Sequence, residues 1–218
     1  MTIRTAPGWL KTALLLALAA VPVVAGLARL HELAGSGPIT HANARFFASP
    51  ISIVLHLTAS LTFAVGGAFQ VSAGIRARWP TWHLRAGRVL AVCGLIAALS
   101  GLWLSLSPGL PPSDNDTLKY IRLAVASAMA LSIVLAVVAI RRRNVTAHAA
   151  WMTRAYALGL GAGTQVLTHL PWFIFVGGMP DPATRAVLMG AGWAINLIVA
   201  EIVNARRRAE RTRPITFN

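Results

Sequence analysis

Residues 118–140 read LKYIRLAVASAMALSIVLAVVAI, and the part from 123 to 140 contains no charged side chain. A helix of about 20 residues, at ~1.5 Å per residue, spans the ~30 Å hydrocarbon core of a bilayer. An apolar run of this length without charges is typical of a transmembrane helix. We therefore predict that this stretch crosses a membrane.

Five other segments have a similar length and composition, and turn-forming Gly and Pro residues lie between several of them. They run from 9 to 28, from 50 to 72, from 84 to 106, from 151 to 176 and from 183 to 203. The whole chain is 56% hydrophobic and only 12% charged, with a mean hydropathy of +0.64. We predict an all-α integral membrane protein with six transmembrane helices in one domain, residues 1–205, followed by a basic tail, 206–218.

The first segment has two interpretations. Its basic start, its apolar stretch and the small residues around 24–26 also suit a secretory signal peptide. The apolar stretch is long for a signal peptide, and we predict that it is retained as the first transmembrane helix.

Most of the 20 Lys and Arg residues lie at alternate boundaries of the six segments. They stand at the N-terminus, between the second and third segments, between the fourth and fifth, and in the tail. Loops rich in Lys and Arg remain on the cytoplasmic side of a membrane. We therefore expect both termini in the cytoplasm of a bacterial inner membrane. The net charge of +14 then reflects topology and anionic lipid on the cytoplasmic face rather than nucleic acid.

Four histidines lie within or beside the apolar segments: His56, His83, His148 and His169. A histidine in the hydrocarbon layer is costly without a partner, so each is a candidate site residue. The topology places His56 and His169 at similar depth near the outer face, and His83 with His148 near the cytoplasmic face. Two imidazoles at each level are ligands that a haem iron can take.

Polar and small residues accompany the outer histidines. Gln70 follows His56 by almost four turns and shares its helical face, and Gln165 precedes His169 by one turn. Small residues on these faces let either a flat ring or another helix approach the backbone. Hydrogen bonding and close packing between helices explain the same pattern, so both interpretations stay open.

The cytoplasmic loops are rich in arginine and tryptophan. Arg85, Arg88 and Arg154 stand near the inner histidines, where they can stabilise haem propionates or an anionic donor. An interfacial belt with positive charge on the inside is the alternative. Glu201, near the cytoplasmic end of the last segment, is predicted to pair with an arginine of these loops. Cys93 is the only cysteine, so no disulfide forms within the chain.

His56, Gln70, the segment WHLRAGR at 82–88 and the segment HAAWMTRAY at 148–156 carry a family resemblance. The chain resembles, over residues 45–205, a bacterial family of predicted membrane proteins that is catalogued as domain of unknown function 2306. The resemblance implies a membrane protein and supplies no activity.

A second resemblance is to two-haem transmembrane b-type cytochromes, including the ascorbate-dependent reductases. It consists of the helix count and of His83, which opens a helix with Gly87 one turn later. It implies haem b held by His56 with His169 and by His83 with His148, and electron transfer from cytoplasmic donors to outside acceptors. The fourth segment, however, has no histidine, and His148 precedes the fifth segment instead of lying inside it.

The leading hypothesis is therefore a membrane-embedded b-type haem protein in transmembrane electron transfer. The alternatives are a small-molecule transporter or complex subunit, with the histidines as hydrogen-bond partners, and a quinone- or lipid-binding protein without haem. The sequence contains no nucleotide-binding glycine loop, no nucleophile elbow and no paired carboxylates. It therefore gives no support for a kinase or a hydrolase.

Overall fold

A computed structural model of the chain describes residues 8–36, 38–40, 43–109, 111 and 113–212. All regular secondary structure in these ranges is helical. The α-helices are α1 (Gly8–His31), α2 (Ala44–Ala48), α3 (Pro50–Gln70), α4 (Ala73–Arg78), α5 (Pro80–Leu106), α6 (Asp116–Arg141), α7 (Val145–Gly159), α8 (Gly161–Phe175) and α9 (Pro182–Thr212). A π-helical turn, Glu32–Ser36, follows α1.

Five of these helices, α1, α3, α5, α6 and α9, are long and apolar enough to cross a membrane. Each contains one of the predicted segments or nearly all of it, which confirms an α-helical, multi-pass membrane protein. Large apolar side chains such as Leu99, Trp103 and Val187 are exposed along these helices. That exposure suits side chains that face lipid, because lipid replaces the burial that a water-soluble domain needs.

The prediction of one continuous helix over 151–176 is wrong. The chain forms α7 and α8, of 15 residues each, with a break at Leu160. Glycines flank the break, and each lies against another helix: a Cβ on Gly161 would meet the Trp193 ring at 2.1 Å, and one on Gly163 would meet the Leu18 carbonyl oxygen at 2.2 Å. Close packing at these positions requires glycine, and glycine is a weak helix former. The helix therefore breaks in this part of the segment.

The predicted basic tail, 206–218, begins as a continuation of α9. Helix α9 continues to Thr212, because Ala, Arg and Glu favour helix and no Pro or Gly interrupts them. Arg207 donates to the Thr153 hydroxyl at 3.0 Å, and Arg211 donates to the Thr146 hydroxyl. These contacts hold the end of α9 on α7. Residues 213–218 lie outside the described residues.

Asparagine side chains cap the first turn of two helices, α6 and α7. Asn115 accepts a hydrogen bond from the backbone N–H of Leu118 at 2.9 Å, and Asn144 accepts one from Ala147 at 2.9 Å. Each satisfies a backbone donor that the first turn of a helix leaves free. These caps place the start of α6 and the start of α7, which carries His148.

Phe63 occupies the centre of the packed core and is 2% exposed. Its ring lies 5.8 Å from the Tyr156 ring in an edge-to-face arrangement. Gly94 and Gly159 make room for it, since a Cβ on either would meet the Phe63 ring at 2.8 Å. Small residues thus bring α3, α5 and α7 together around one aromatic side chain.

Helix α3 packs against α5 and α1, α5 packs against α6, α6 against α7, and α8 against α9. The chain alternates in direction, so its loops gather at two ends. We call the end where α5 and α7 begin the His83 end, and the end where α6 and α9 begin the Asp114 end.

Candidate functional site

His83 and His148 lie at the same end of the molecule, the His83 end, on two different helices. The His83 imidazole lies within electrostatic range of His148 and of Arg76. Helix α6 packs against both α5 and α7, and α5 and α7 do not pack extensively on each other. The two histidines thus belong to helices that α6 holds at the same end of the molecule.

His148 has its ring orientation set by the backbone. Its Nδ1 lies 3.0 Å from the carbonyl oxygen of Ala136, near the end of α6. A carbonyl oxygen only accepts, so Nδ1 carries the proton and donates it. In the neutral ring this leaves the lone pair on Nε2. Histidines that bind metals have this arrangement, with one ring nitrogen donating to a carbonyl and the other free to ligate.

Two buried polar atoms at the His83 end have no hydrogen-bond partner among the described residues. They are Nδ1 of His83 itself and Nε2 of Gln70. Gln70 ends α3 and lies beside Gly87, where an added Cβ would meet Gln70 Oε1 at 3.5 Å. Gly87 follows His83 by one turn of α5, so both belong to one face of that helix. A buried polar atom without a partner is uncommon and calls for an explanation, such as a ligand or a water.

The charge at this end is positive. Arg76 lies near His83 and also near Arg207, which α9 brings to α7. Arg85 and Arg88, which we predicted to serve a cofactor, are exposed in the first turns of α5. The His83 end therefore combines two imidazoles, an amide and several guanidinium groups, a set that suits an anionic or electron-rich ligand.

Arg154, the third predicted cofactor arginine, is engaged elsewhere. Its Nε and Nη2 donate to the two carboxylate oxygens of Glu201, at 2.5 and 2.8 Å, and its guanidinium stacks on Trp151 at 4.4 Å. The predicted pairing of Glu201 with one of these arginines is thereby confirmed, although Arg154 lies within α7 and not in a loop. Because Glu201 and Trp151 engage its guanidinium, we leave Arg154 out of the candidate site.

We expect Glu201→Gln to lower the free energy of unfolding by about 1 kcal/mol, since Arg154 loses a two-pronged ionic acceptor. The measurement is unfolding of the purified protein in detergent. Glu210→Gln is the matched control, because Glu210 lies on the same helix, is exposed and forms no ion pair with any residue described. Equal effects of the two changes would contradict the assignment.

His56 lies against α5. Its Nδ1 is 3.0 Å from the Ala97 carbonyl oxygen and 3.1 Å from the Ser100 hydroxyl, and a Cβ on Gly101 would meet its ring at 3.4 Å. The imidazole thus fills the contact between α3 and α5. Donation to the Ala97 carbonyl satisfies one nitrogen within this helix pair.

His169 lies on a different side of the molecule. Its Nδ1 is 2.7 Å from the Gln165 carbonyl oxygen one turn earlier on α8, and its ring stacks on Phe173 with centroids 6.2 Å apart. It lines a cavity between α8 and α9. The structure therefore directs His56 and His169 towards different neighbours and does not join them in one site.

The small residues near these histidines serve helix packing. Gly67, on the stripe after His56, lies against the Tyr156 ring, where a Cβ would come within 2.2 Å. The Tyr156 hydroxyl donates to the Ala64 carbonyl oxygen at 2.7 Å. Gln165 is buried and donates to the Met189 carbonyl oxygen at 3.2 Å. Of the two interpretations of this pattern, close packing accounts for these contacts.

The fold also forms a charged cluster at the Asp114 end, which we did not predict from the sequence. Asp114 binds Arg122 at 2.6 Å and Arg185 at 3.0 Å, and its side chain is 2% exposed. A signal was present, because the chain has only 6 acidic residues and Asp114 stands close to the start of an apolar segment, where an ionisable side chain calls for a partner.

Within the part of the chain that the structure describes, no cluster of three or more His, Cys, Asp or Glu side chains is placed to hold a metal ion. The candidate that remains is the His83–His148 pair, which can supply two nitrogen ligands.

No curated protein and no solved structure matches the chain. The similarity to two-haem cytochromes therefore stays a prediction. One family does match: residues 53–204, which include all four candidate histidines, fit the family described as Predicted membrane protein (DUF2306). Since the match covers more than half of the sequence, the chain belongs to the DUF2306 family of predicted membrane proteins.

Proposed function

We propose that the chain is a membrane-embedded b-type haem protein in electron transfer, with His83 and His148 as the ligands of the haem iron. The observation that supports the proposal is that the two histidines lie at one end of the molecule, within electrostatic range of each other. Neither His83 Nδ1 nor His148 Nε2 has a hydrogen-bond partner among the residues described. Haem would supply reversible one-electron reduction of its iron at this place.

The donor set fits this group. His148 donates Nδ1–H to the Ala136 carbonyl oxygen, so its Nε2 lone pair is available to iron. His83 Nδ1 is buried and unpartnered among the residues described. Gly87 leaves the face of α5 next to His83 without a side chain, which suits the approach of a flat ring.

The charges at the His83 end also favour this cofactor. Haem carries two propionate groups, and guanidinium groups bind carboxylates with two parallel hydrogen bonds. Arg76 and Arg207 lie at this end, and Arg85 and Arg88 are exposed at the start of α5. Gln70 Nε2 is a further donor without a partner in the described structure.

We also propose a topology for the DUF2306 chain. The α7–α8 pair would make the sixth crossing as one broken helix, because α8 runs beside α9 and α1 while α7 runs beside α6. The His83 end would face the cytoplasm of a bacterial inner membrane, since most arginines gather there. Arg141, Arg142 and Arg143 would contact anionic lipid.

The test is the absorption spectrum of the full chain purified from haem-replete cells. We expect a Soret band that shifts when dithionite is added, and we expect His83→Ala and His148→Ala each to remove the band, since iron would lose one of two strong ligands. His56→Ala and His169→Ala are matched controls, because both histidines lie in the membrane domain but face other neighbours. They should keep the band.

Elution as a single species in detergent shows for every variant that the fold is retained. Wild-type protein without a Soret band or a pyridine haemochrome would refute haem binding. A band that survives in folded His83→Ala and His148→Ala but disappears in the His56 or His169 variants would refute the proposed ligands.

A second candidate is a quinone site at the same place. His83 Nδ1 and Gln70 Nε2 are both unpartnered within the described structure, and both can donate to the carbonyl oxygens of a quinone ring. In this case, a short-chain ubiquinone analogue raises the melting temperature of haem-free wild type, and Gln70→Ala lowers the increase. No increase in the wild type would refute this candidate.

A further inference from the structure

Three arginines surround a single carboxylate at the Asp114 end. Arg122 Nη1 and Arg185 Nε each bind one oxygen of Asp114, at 2.6 and 3.0 Å. Arg45, on α2, lies within electrostatic range of both Arg122 and Asp114. These helices and loops are far apart in the chain, so only the fold assembles the cluster.

Arg45 is the arginine of this cluster whose hydrogen-bond donors are not all paired with the residues described. Its Nη1 is buried and has no hydrogen-bond partner among the residues described. Its guanidinium lies over the Phe46 ring at 4.7 Å. Burial and the neighbouring charge of Arg122 lower the pKa of Arg45, and Asp114 opposes that effect. The protein thus holds a cation in a place that disfavours a charge.

The other carboxylates at this end do not supply the missing acceptor. Glu32 is bound by Arg29 and by the Asn43 side chain. Asp181 accepts hydrogen bonds from Ala183 and Thr184 at the start of α9. Asp116 is exposed in the first turn of α6. A partly buried arginine without a matching anion costs free energy. Since three arginines share one carboxylate, the cluster is short of a negative group.

An open cavity of about 310 Å³ reaches this cluster at Arg185, whereas Arg45 and Arg122 lie outside its lining. It lies between α8 and α9 and is lined by Ala162, Gln165, Val166, His169, Leu170, Phe173, Arg185 and Met189. Arg185 is its cationic end, and Arg122 contacts Met189 there, with Nη2 3.9 Å from Sδ. The rest of the lining is mostly apolar. Leu170 and Phe173 are 49% and 46% exposed, so the cavity opens sideways, towards the bilayer.

We propose that this site binds an amphiphile with a carboxylate headgroup, such as a fatty acid from the bilayer. The carboxylate completes the charge balance of Arg45, Arg122 and Arg185, and the acyl chain lies in the cavity between α8 and α9. Arginine forks match the two oxygens of a carboxylate. The volume lies at the lower end of the range for small-molecule sites, about 300–1,000 Å³.

The test is binding of radiolabelled oleate to the full chain in phosphatidylcholine nanodiscs. Methyl oleate keeps the chain and lacks the charge, and acetate keeps the charge and lacks the chain. We expect each to bind at least about tenfold more weakly than oleate, because one loses charge-assisted hydrogen bonds and the other loses apolar burial.

Two variants separate the headgroup from the chain. Arg45→Gln should weaken oleate binding by about tenfold and leave methyl oleate binding unchanged. Ala162→Phe should weaken both, because the larger side chain fills the cavity. Lys119→Gln is the matched control for a lost cation, since Lys119 lies at the same end without an ion pair among those described. Unfolding in detergent reports whether each variant is folded.

Several outcomes would overturn the proposal. Equal binding of oleate and methyl oleate would exclude a role for the arginines. Equal binding of acetate and oleate would replace the amphiphile by a small free anion. Unchanged oleate binding in Arg45→Gln and Ala162→Phe would place any binding elsewhere.

Discussion

Replacing Asp114 by Asn is expected to lower the free energy of unfolding by about 3–5 kcal/mol, the usual cost of removing one partner from a buried ion pair. The Asp114 side chain is 2% exposed and serves both Arg122 and Arg185. Asparagine keeps the size of the side chain but removes its charge, so both guanidinium groups lose their anion. The loss would free the starts of α6 and α9 from each other. Equilibrium unfolding in mixed detergent micelles measures the effect.

Asp116→Asn is the matched control. Asp116 lies two residues further along, is exposed, and forms no ion pair with any described residue. We expect this change to alter the free energy of unfolding by less than about 0.5 kcal/mol. Similar values for both variants would show that Asp114 does not organise this end.

Replacing Gly163 by Ala is expected to be the most harmful single-methyl substitution in the membrane domain. The added Cβ would lie 2.2 Å from the carbonyl oxygen of Leu18 and 3.0 Å from its carbonyl carbon. These are backbone atoms of α1, which cannot move aside as a flexible side chain does. Helices α1 and α8 must therefore separate, and we expect a loss of about 3 kcal/mol, the upper range for overpacking.

Gly190→Ala makes the same chemical change where there is room. A Cβ on Gly190 would meet only Ile121 Cδ1, at 3.4 Å. Since alanine is the better helix former, we expect unchanged or slightly higher stability, by up to about 1 kcal/mol. Unfolding in detergent compares the two variants, and equal stability of both would disprove the close approach of α1 and α8.

Hydropathy was enough to locate the membrane helices. The apolar run at 118–140 lies within α6, and the runs at 84–106 and 183–203 lie within α5 and α9. Each segment must satisfy its own backbone hydrogen bonds in lipid, so helix formation there is a local property. The break at Leu160 was not predictable in this way, because it depends on Trp193 and Leu18, which pack against the flanking glycines.

Position in the sequence allowed a prediction of depth in the membrane, but it could not predict which histidines pair. His56 and His169 were predicted to face each other because they lie at similar depth. The structure directs one towards Ala97 and the other towards the α8–α9 cavity. His83 and His148 were predicted to share the other level, and the fold places them within electrostatic range of each other.

The sequence by itself determined a chain of membrane-spanning helices, their order and the end at which most of the positive charge collects. These follow from apolar length and charge position, which act on each segment separately. Only the tertiary structure decided which polar side chains interact: Arg154 pairs with Glu201, Asp114 pairs with Arg122 and Arg185, and His83 lies within electrostatic range of His148. The rotation of each helix about its axis is set by close packing around residues such as Phe63 and Gly163, which belong to segments far apart in the chain.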